Sequence, residues 1–306
     1  MKEHLKLQDT LPIFERIRQQ NSPLLKNKIV VLLCIGLAFL IGEAAMTICN
    51  LVLVLILKPL LREAFNGHIL TLSCTTFMTL VVIFYCKVLE RRPLRTMGFT
   101  KRKCLRDYLL GILIGAGMLS VALLIAWAGG TMEFTGYGEK WSVAFGIGIV
   151  LAWMQQGLSE EVICRSLLMP SFGAVSSPWG AVLVNALVFA MMHLGNAHIS
   201  ILALCNLLLY GIFASLIFLR TDSVWMAAAM HSFWNFAQGN LYGISVSGSG
   251  LEDSMMYFSP KEAGTWLSGG AFGLEGGAAV TVVLVIACII ALLLPQRKQA
   301  DSCTQS

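Results

Sequence analysis

Apolar runs long enough to cross a bilayer recur along nearly the whole chain, and they leave it few ways to fold. Spanning hydrocarbon takes about 20 mostly apolar residues per helix. Eight runs qualify as candidate spans: 29 to 57, 69 to 89, 107 to 128, 142 to 168, 178 to 195, 199 to 219, 223 to 241 and 277 to 294. In lipid every backbone N–H and C=O must be satisfied within the protein, so each run reads as a helix. The expected fold is all-α: a polytopic transmembrane helical bundle of about eight spans, packed as one domain. Of the 306 residues, 57% are hydrophobic and 13% charged, which excludes a soluble globule of this size.

The basic residues orient the bundle. With the N-terminus in the cytoplasm, 17 Lys and Arg fall inside and four outside, namely Lys58, Arg62, Lys140 and Lys261. The inside set comprises six before the first span, eight in the 87 to 106 loop, Arg220, and Arg297 with Lys298. That asymmetry follows the positive-inside rule, so both termini are expected in the cytoplasm of a multi-pass protein, in the plasma membrane for a bacterial source. The chain then divides into a cytoplasmic segment (1–28), two spans with a basic loop (29–106), a membrane-embedded core (107–294) and a tail (295–306). The first apolar run is too long for a signal-peptide core and is expected to stay as a span. The formal charge of +5 sits in blocks beside apolar runs, where it sets topology and meets anionic lipid; nucleic acid is not implied.

Other features say less. The nine cysteines show no CxxC pair or metal-ligand spacing and read as small buried hydrophobes. The 87 to 106 loop, KVLERRPLRTMGFTKRKCLR, suits a segment lying along the headgroups. The outer loop 242 to 276 is Gly/Ser-rich with Glu252, Asp253, Glu262 and Glu275; it reads equally as a lid or a linker. Gly111 and Gly115 (GILIG) offer a small-xxx-small helix contact.

The informative residues are those that should not be in a membrane, since an ionisable group there calls for a partner or a job. The fourth span carries Glu160, Glu161 and Arg165, the fifth ends with Phe189 and His193, and the seventh holds His231 and Asn235. Glu161 and Arg165 are one helical turn apart and can form a tolerable buried pair. Glu160 is turned about 100° away and can face a different neighbour. Phe189 sits one turn from His193, where its ring can wedge the imidazole. His198 reads as interfacial, and His68 as flanking. Trp225, Trp234 and Trp266 suit packing or an aromatic belt. Gln155 and Gln156 could be supporting partners or plain span-lining groups, and Glu43 has no assigned partner. Peptide hydrolysis needs an activated water, a base and donors for an oxyanion. A desolvated carboxylate, His193, His231 and the Asn235 amide could supply them. In this topology Glu160 and His231 lie in the inner half of the membrane and His193 near the outer end of its span. Joining them requires that span to start later than drawn or to break near Gly195 and Asn196.

EExxxR at Glu160 to Arg165, FxxxH at Phe189 to His193 and HxxxN at His231 to Asn235, in this order on successive apolar segments, resemble the CAAX-protease and bacteriocin-processing (CPBP, or Abi) family of intramembrane endopeptidases. The similarity covers roughly residues 90 to 280 and includes LRTMGF, LRTDSVWMAAAMHSFWN and GGAFGLEGG. The resemblance implies cleavage of a membrane-associated protein or peptide, such as a prenylated CAAX protein or a bacteriocin-like peptide. Carried over, Glu160 with His193 would activate water, His231 with Asn235 would face the oxyanion, and Glu161, Arg165 and Phe189 would support them. Family members are often named metalloproteases. Here there is no HExxH, and Asn235 stands where a third His would complete a metal set, so a metal-free glutamate mechanism is favoured; otherwise a divalent ion such as zinc would sit on Glu160, His193 and His231. Two rivals are a proton-coupled transporter, which no inverted repeat supports, and a non-catalytic immunity or scaffold member of the same fold.

Overall fold

The computed structural model describes residues 11–20, 22–62, 66–101, 103–250 and 253–296. Lys2, Lys6, Arg102, Glu252, Arg297 and Lys298, used above for topology and loop character, lie outside these residues. Each of the eight apolar runs is helical. A short helix α1 (Pro12–Arg18) precedes the first long one, α2 (Lys28–Leu61). Then α3 (Gly67–Cys74) and α4 (Thr76–Phe84) run through a π-helical turn, Tyr85–Leu89, as one rod. After α5 (Cys104–Ala128), α6 (Val143–Glu161) passes through a second π turn (Val162–Leu168) into α7 (Met169–Ala174). The rest are α8 (Pro178–Met192), α9 (Ile201–Thr221), α10 (Val224–Phe236) with a π turn at Ala237–Leu241, the short α11 (Thr265–Ser268), and α12 (Ala278–Leu293).

Four helical stretches, Lys28–Leu61, Gly67–Leu89, Cys104–Ala128 and Ile201–Thr221, are long and apolar enough to cross a membrane. Side chains such as Leu33, Leu40, Ile48 and Leu55 stand exposed along α2, as suits contact with lipid rather than water. Starts are set locally: the side chains of Asn27, Asn66, Ser142, Ser177 and Ser200 each accept a hydrogen bond from the first turn of the helix that follows.

Close backbone approaches position α10, the helix of the HxxxN motif. A Cβ on Gly111 would lie 2.5 Å from the Met226 carbonyl oxygen and 2.7 Å from the Ala229 Cβ, and one on Gly115 would strike the Met230 backbone. On the other side, a Cβ on Gly157 of α6 would lie 2.7 Å from the Ser232 nitrogen. The GILIG pair therefore does serve as a small-xxx-small contact, and α10 is gripped between α5 and α6.

Four features refine the sequence reading. A two-stranded antiparallel ribbon joins β1 (Met132–Tyr137) to β2 (Met256–Pro260), which hydropathy did not signal. The fifth span stops at Met192, with His193 as its C-cap residue. At 15 residues, α8 is only about 22 Å long and falls short of the roughly 30 Å of hydrocarbon, which brings His193 into the bundle. The break thus comes two residues before Gly195. In the basic loop, Arg92 is not available to headgroups: it is buried, its Nε 2.6 Å from Glu90 Oε2, while Lys87, Arg91, Arg95, Lys101, Lys103 and Arg106 stay exposed. Ahead of α2, Phe14 and Ile17 of α1 are buried, and Arg16 Nη1 donates to Asp222 Oδ2 at 2.9 Å.

The glycine contacts make a paired test. Gly115→Ala should lower unfolding free energy by about 1–3 kcal/mol, read as a lower Tm in detergent, because the neighbour is backbone and cannot give way. Gly117→Ala, whose Cβ meets nothing within 4 Å, should be neutral or stabilising by up to about 1 kcal/mol.

Candidate active site

The site is built on the junction of α6 with its π turn. Widened turns of this kind re-aim side chains, and here two successive carboxylates take different surroundings. Glu161 turns inward. Its Oε1 lies 3.1 Å from Arg165 Nη1 and 2.9 Å from His231 Nδ1, with both members of the Glu161–Arg165 pair at 0% side-chain exposure. The guanidinium lies 4.7 Å from the Phe189 ring centroid and 5.9 Å from that of Tyr210. The pair expected one turn apart is thus present, and Glu161 additionally holds His231.

Glu160 faces a cavity. Its Oε1 accepts from Gln156 Nε2, one turn earlier on α6. Its Oε2 is buried without a hydrogen-bond partner, 3.7 Å from His231 Nε2 and 4.0 Å from His193 Nε2. Both distances are too long for direct hydrogen bonds and suit groups that share a small bridging molecule. The tautomers follow from the other ring atoms. His193 Nδ1 lies 2.8 Å from the Phe189 carbonyl oxygen and His231 Nδ1 meets a carboxylate, both acceptors only, so each Nδ1 carries a proton. A neutral ring then presents its Nε2 lone pair to Glu160, and an imidazolium presents N–H.

Asn235 is close by but one link removed: its Nδ2 donates to Gln156 Oε1 at 3.0 Å, making a chain from Asn235 through Gln156 to Glu160. Gln156, left open on sequence, is the orienting member, and its spacing of four from Glu160 was the available signal. Phe189 packs on both rings, with centroids 4.9 Å from His193 and 6.0 Å from His231. All four proposed reacting residues line one cavity of about 440 Å³.

The same cavity gathers groups that sequence reasoning misplaced or passed over. His68, read as flanking, lines it and stacks edge-on to Trp153. Tyr210 forms part of its wall, with no motif to announce it. Trp234, read as packing, also lines it and donates from Nε1 to Glu275 Oε1 at 3.2 Å. Glu275, read as loop acidity, is buried; its Oε2 accepts from the Ser247 N–H at 2.8 Å and hydroxyl at 2.6 Å. The described part of the 242 to 276 loop therefore folds back over the cavity, with Val246 to Ser249 in its lining. His198 is exposed and does not line it.

Glu160, His193 and His231 are donors of the type zinc takes, with their Nδ1 atoms anchored as ligands usually are. Among the described residues, however, no group of three or more His, Cys, Asp or Glu side chains is gathered closely enough to hold a metal ion, and Asn235 is engaged by Gln156.

Fold and site together define a polytopic membrane protein with one carboxylate and two imidazoles converging inside the bundle. Residues 141–237, less than half of the chain but including all three motifs, match the family of type II CAAX prenyl endopeptidases, Rce1-like. The match supports the CAAX-protease and bacteriocin-processing family for this chain, and in general terms an intramembrane CAAX-type endopeptidase. No curated protein matches the chain.

The buried pair is open to a double-mutant test. Arg165→Met should cost about 3–5 kcal/mol by leaving Glu161 uncompensated. Arg165→Met combined with Glu161→Gln should recover much of that loss, measured by unfolding in detergent.

Proposed function

We propose that the protein is an intramembrane endopeptidase that hydrolyses a peptide bond in a membrane-associated protein or peptide through water activated by Glu160. The observation that carries this reading is Glu160 Oε2, buried and unpartnered, with His193 Nε2 at 4.0 Å and His231 Nε2 at 3.7 Å. Two hydrogen bonds of about 2.8 Å enclosing roughly 90° span such a gap, so a water held by Glu160 and His193 has both hydrogens engaged and a lone pair free to attack.

Glu160 takes the water proton as oxygen adds to the scissile carbonyl carbon. The resulting oxyanion faces Asn235, whose second amide N–H is not used by Gln156, and His231, which donates from Nε2 as the imidazolium held on Glu161. The tetrahedral intermediate then collapses. The C–N bond breaks, Glu160 returns the proton to the leaving amine, and a carboxylic acid and an amine are released. Glu161, Arg165, Phe189 and Gln156 act through the groups they orient. No step passes through a metal.

The match to prenyl endopeptidases favours a prenylated CAAX protein as substrate, with a bacteriocin-like peptide as the alternative. The basic residues of the 87 to 106 segment support a cytoplasmic location for both termini.

In purified protein with a fluorogenic peptide library, Glu160→Gln and His231→Ala should lower kcat by about 10²–10⁴-fold with Tm unchanged for Glu160→Gln. Activity should survive exhaustive chelation, with no bound metal by elemental analysis. A wild-type protein that cleaves nothing, while Glu160→Gln impairs solute flux in liposomes, would replace this reading by the transporter.

A further inference from the structure

Hydrolysis consumes one water per turnover, yet a peptide filling the main cavity shuts out water from that side. A second cavity, of about 230 Å³, reaches the same centre from another direction: Glu160, His193 and Asn196 line both. Its lining also includes Glu43 of α2, Thr75 between α3 and α4, and Ser159 of α6. That volume has room for several waters.

Glu43 is the residue that needs explaining. It is the sole Asp, Glu, Lys or Arg between Lys28 and Lys58, on a helix whose other faces meet lipid. A carboxylate there is unfavourable unless paired or hydrated. Among the described residues no Lys, Arg or His pairs with it, so it is accommodated by hydration or by protonation, and in either form the carboxyl group hydrogen-bonds water. The hydroxyls beside it donate inward, Thr75 Oγ1 to the Leu72 carbonyl at 2.6 Å and Ser159 Oγ to the Gln156 carbonyl at 2.8 Å. Their lone pairs are left to accept from water.

Resting on the hydrolytic reading above, we propose that the second cavity is the water inlet of the site. Glu43 is the positioning residue that keeps it hydrated, so that water reaches Glu160 while the peptide occupies the main cavity. Glu43 lines the second cavity and not the main one, so its effect is on turnover rather than on binding.

The test is steady-state kinetics at saturating peptide, with Tm recorded for each variant. Glu43→Leu should lower kcat about tenfold or more and leave KM within about twofold, because water supply and not substrate binding is impaired. Glu43→Gln, which still holds water, should restore most of the rate, and Thr75→Val should lower kcat about threefold. An unchanged kcat in Glu43→Leu overturns the inlet, as does a raised KM at constant kcat, which would make the cavity part of the substrate site. Glu43→Gln as slow as Glu43→Leu also overturns it, in favour of a role for the charge itself. Should Glu43→Leu lose stability, Thr75→Val decides, and its unaltered kcat counts against the inlet. Glu160→Gln in the same series separates the two readings. An inactive wild type removes both, whereas an active wild type, an inactive Glu160→Gln and an unimpaired Glu43→Leu remove the inlet alone.

Discussion

The ion pair between Glu161 and Arg165, fully withdrawn from solvent inside an apolar bundle, is the interaction on which the rest of the site depends. Desolvating two charges is unfavourable by several kcal/mol for each, and their attraction offsets this only when other groups complete the solvation. The surroundings supply part of this, although Glu161 Oε2 and Arg165 Nε stay buried without a hydrogen-bond partner. His231 meets the carboxylate, the faces of Phe189 and Tyr210 approach the guanidinium, and Arg165 Nη2 donates to the Gly211 carbonyl at 3.4 Å. These contacts come from α8, α9 and α10, so one electrostatic requirement ties the four elements of the site together at a single depth. Glu160 inherits its direction from this: with Glu161 fixed inward, the neighbouring residue on the helix must project elsewhere, and it projects into the cavity.

A second constraint is that backbone departing from helix at membrane depth must find its hydrogen bonds within the protein. The turn after α8 and the segment after α10 are both irregular, and polar side chains serve them. Asn206 Nδ2 donates to the carbonyls of Glu275 and Gly277 at 2.8 and 2.9 Å, and Asn196 Nδ2 donates to the Ser247 carbonyl at 3.0 Å. Glu275 receives Trp234 and Ser247 in return. The loop over the cavity is thus held by polar side chains like those that line it, and α10, already gripped through Gly111, Gly115 and Gly157, is anchored to it through Trp234.

Much of this was legible in the residue order. Hydropathy located all eight helical runs, the i,i+4 spacing paired Glu161 with Arg165, and three short motifs pointed to residues that share one cavity. What escaped was whatever depends on distance in space rather than along the chain. His193 looked too far out because α8 was assumed to cross completely, and a helix C-cap inside an apolar run has no hydropathic signature. Glu275 and Ser247 sit in a Gly/Ser-rich loop whose composition reads as linker, and only its return over the bundle gives the carboxylate a setting. His68 was set aside because it precedes its span, although the start of α3 faces α6. Arg92 looked like one more headgroup contact in a basic run, and its burial against Glu90 is a tertiary fact.

The two oxygens of Glu160 are not equivalent, and this asymmetry connects the parts of the site. Oε1 is held by Gln156, which is itself held by Asn235, while Oε2 is left to the imidazoles. A carboxylate fixed at one oxygen cannot rotate freely at the other, so under the proposed hydrolytic reading the base would be aimed before water arrives, leaving little reorganisation for the reaction. Asn235 commits one amide N–H to Gln156, and the proposed reading assigns the other to the oxyanion. A neutral histidine in its place carries a single N–H and could not serve both directions, which gives a physical reason for asparagine at this position.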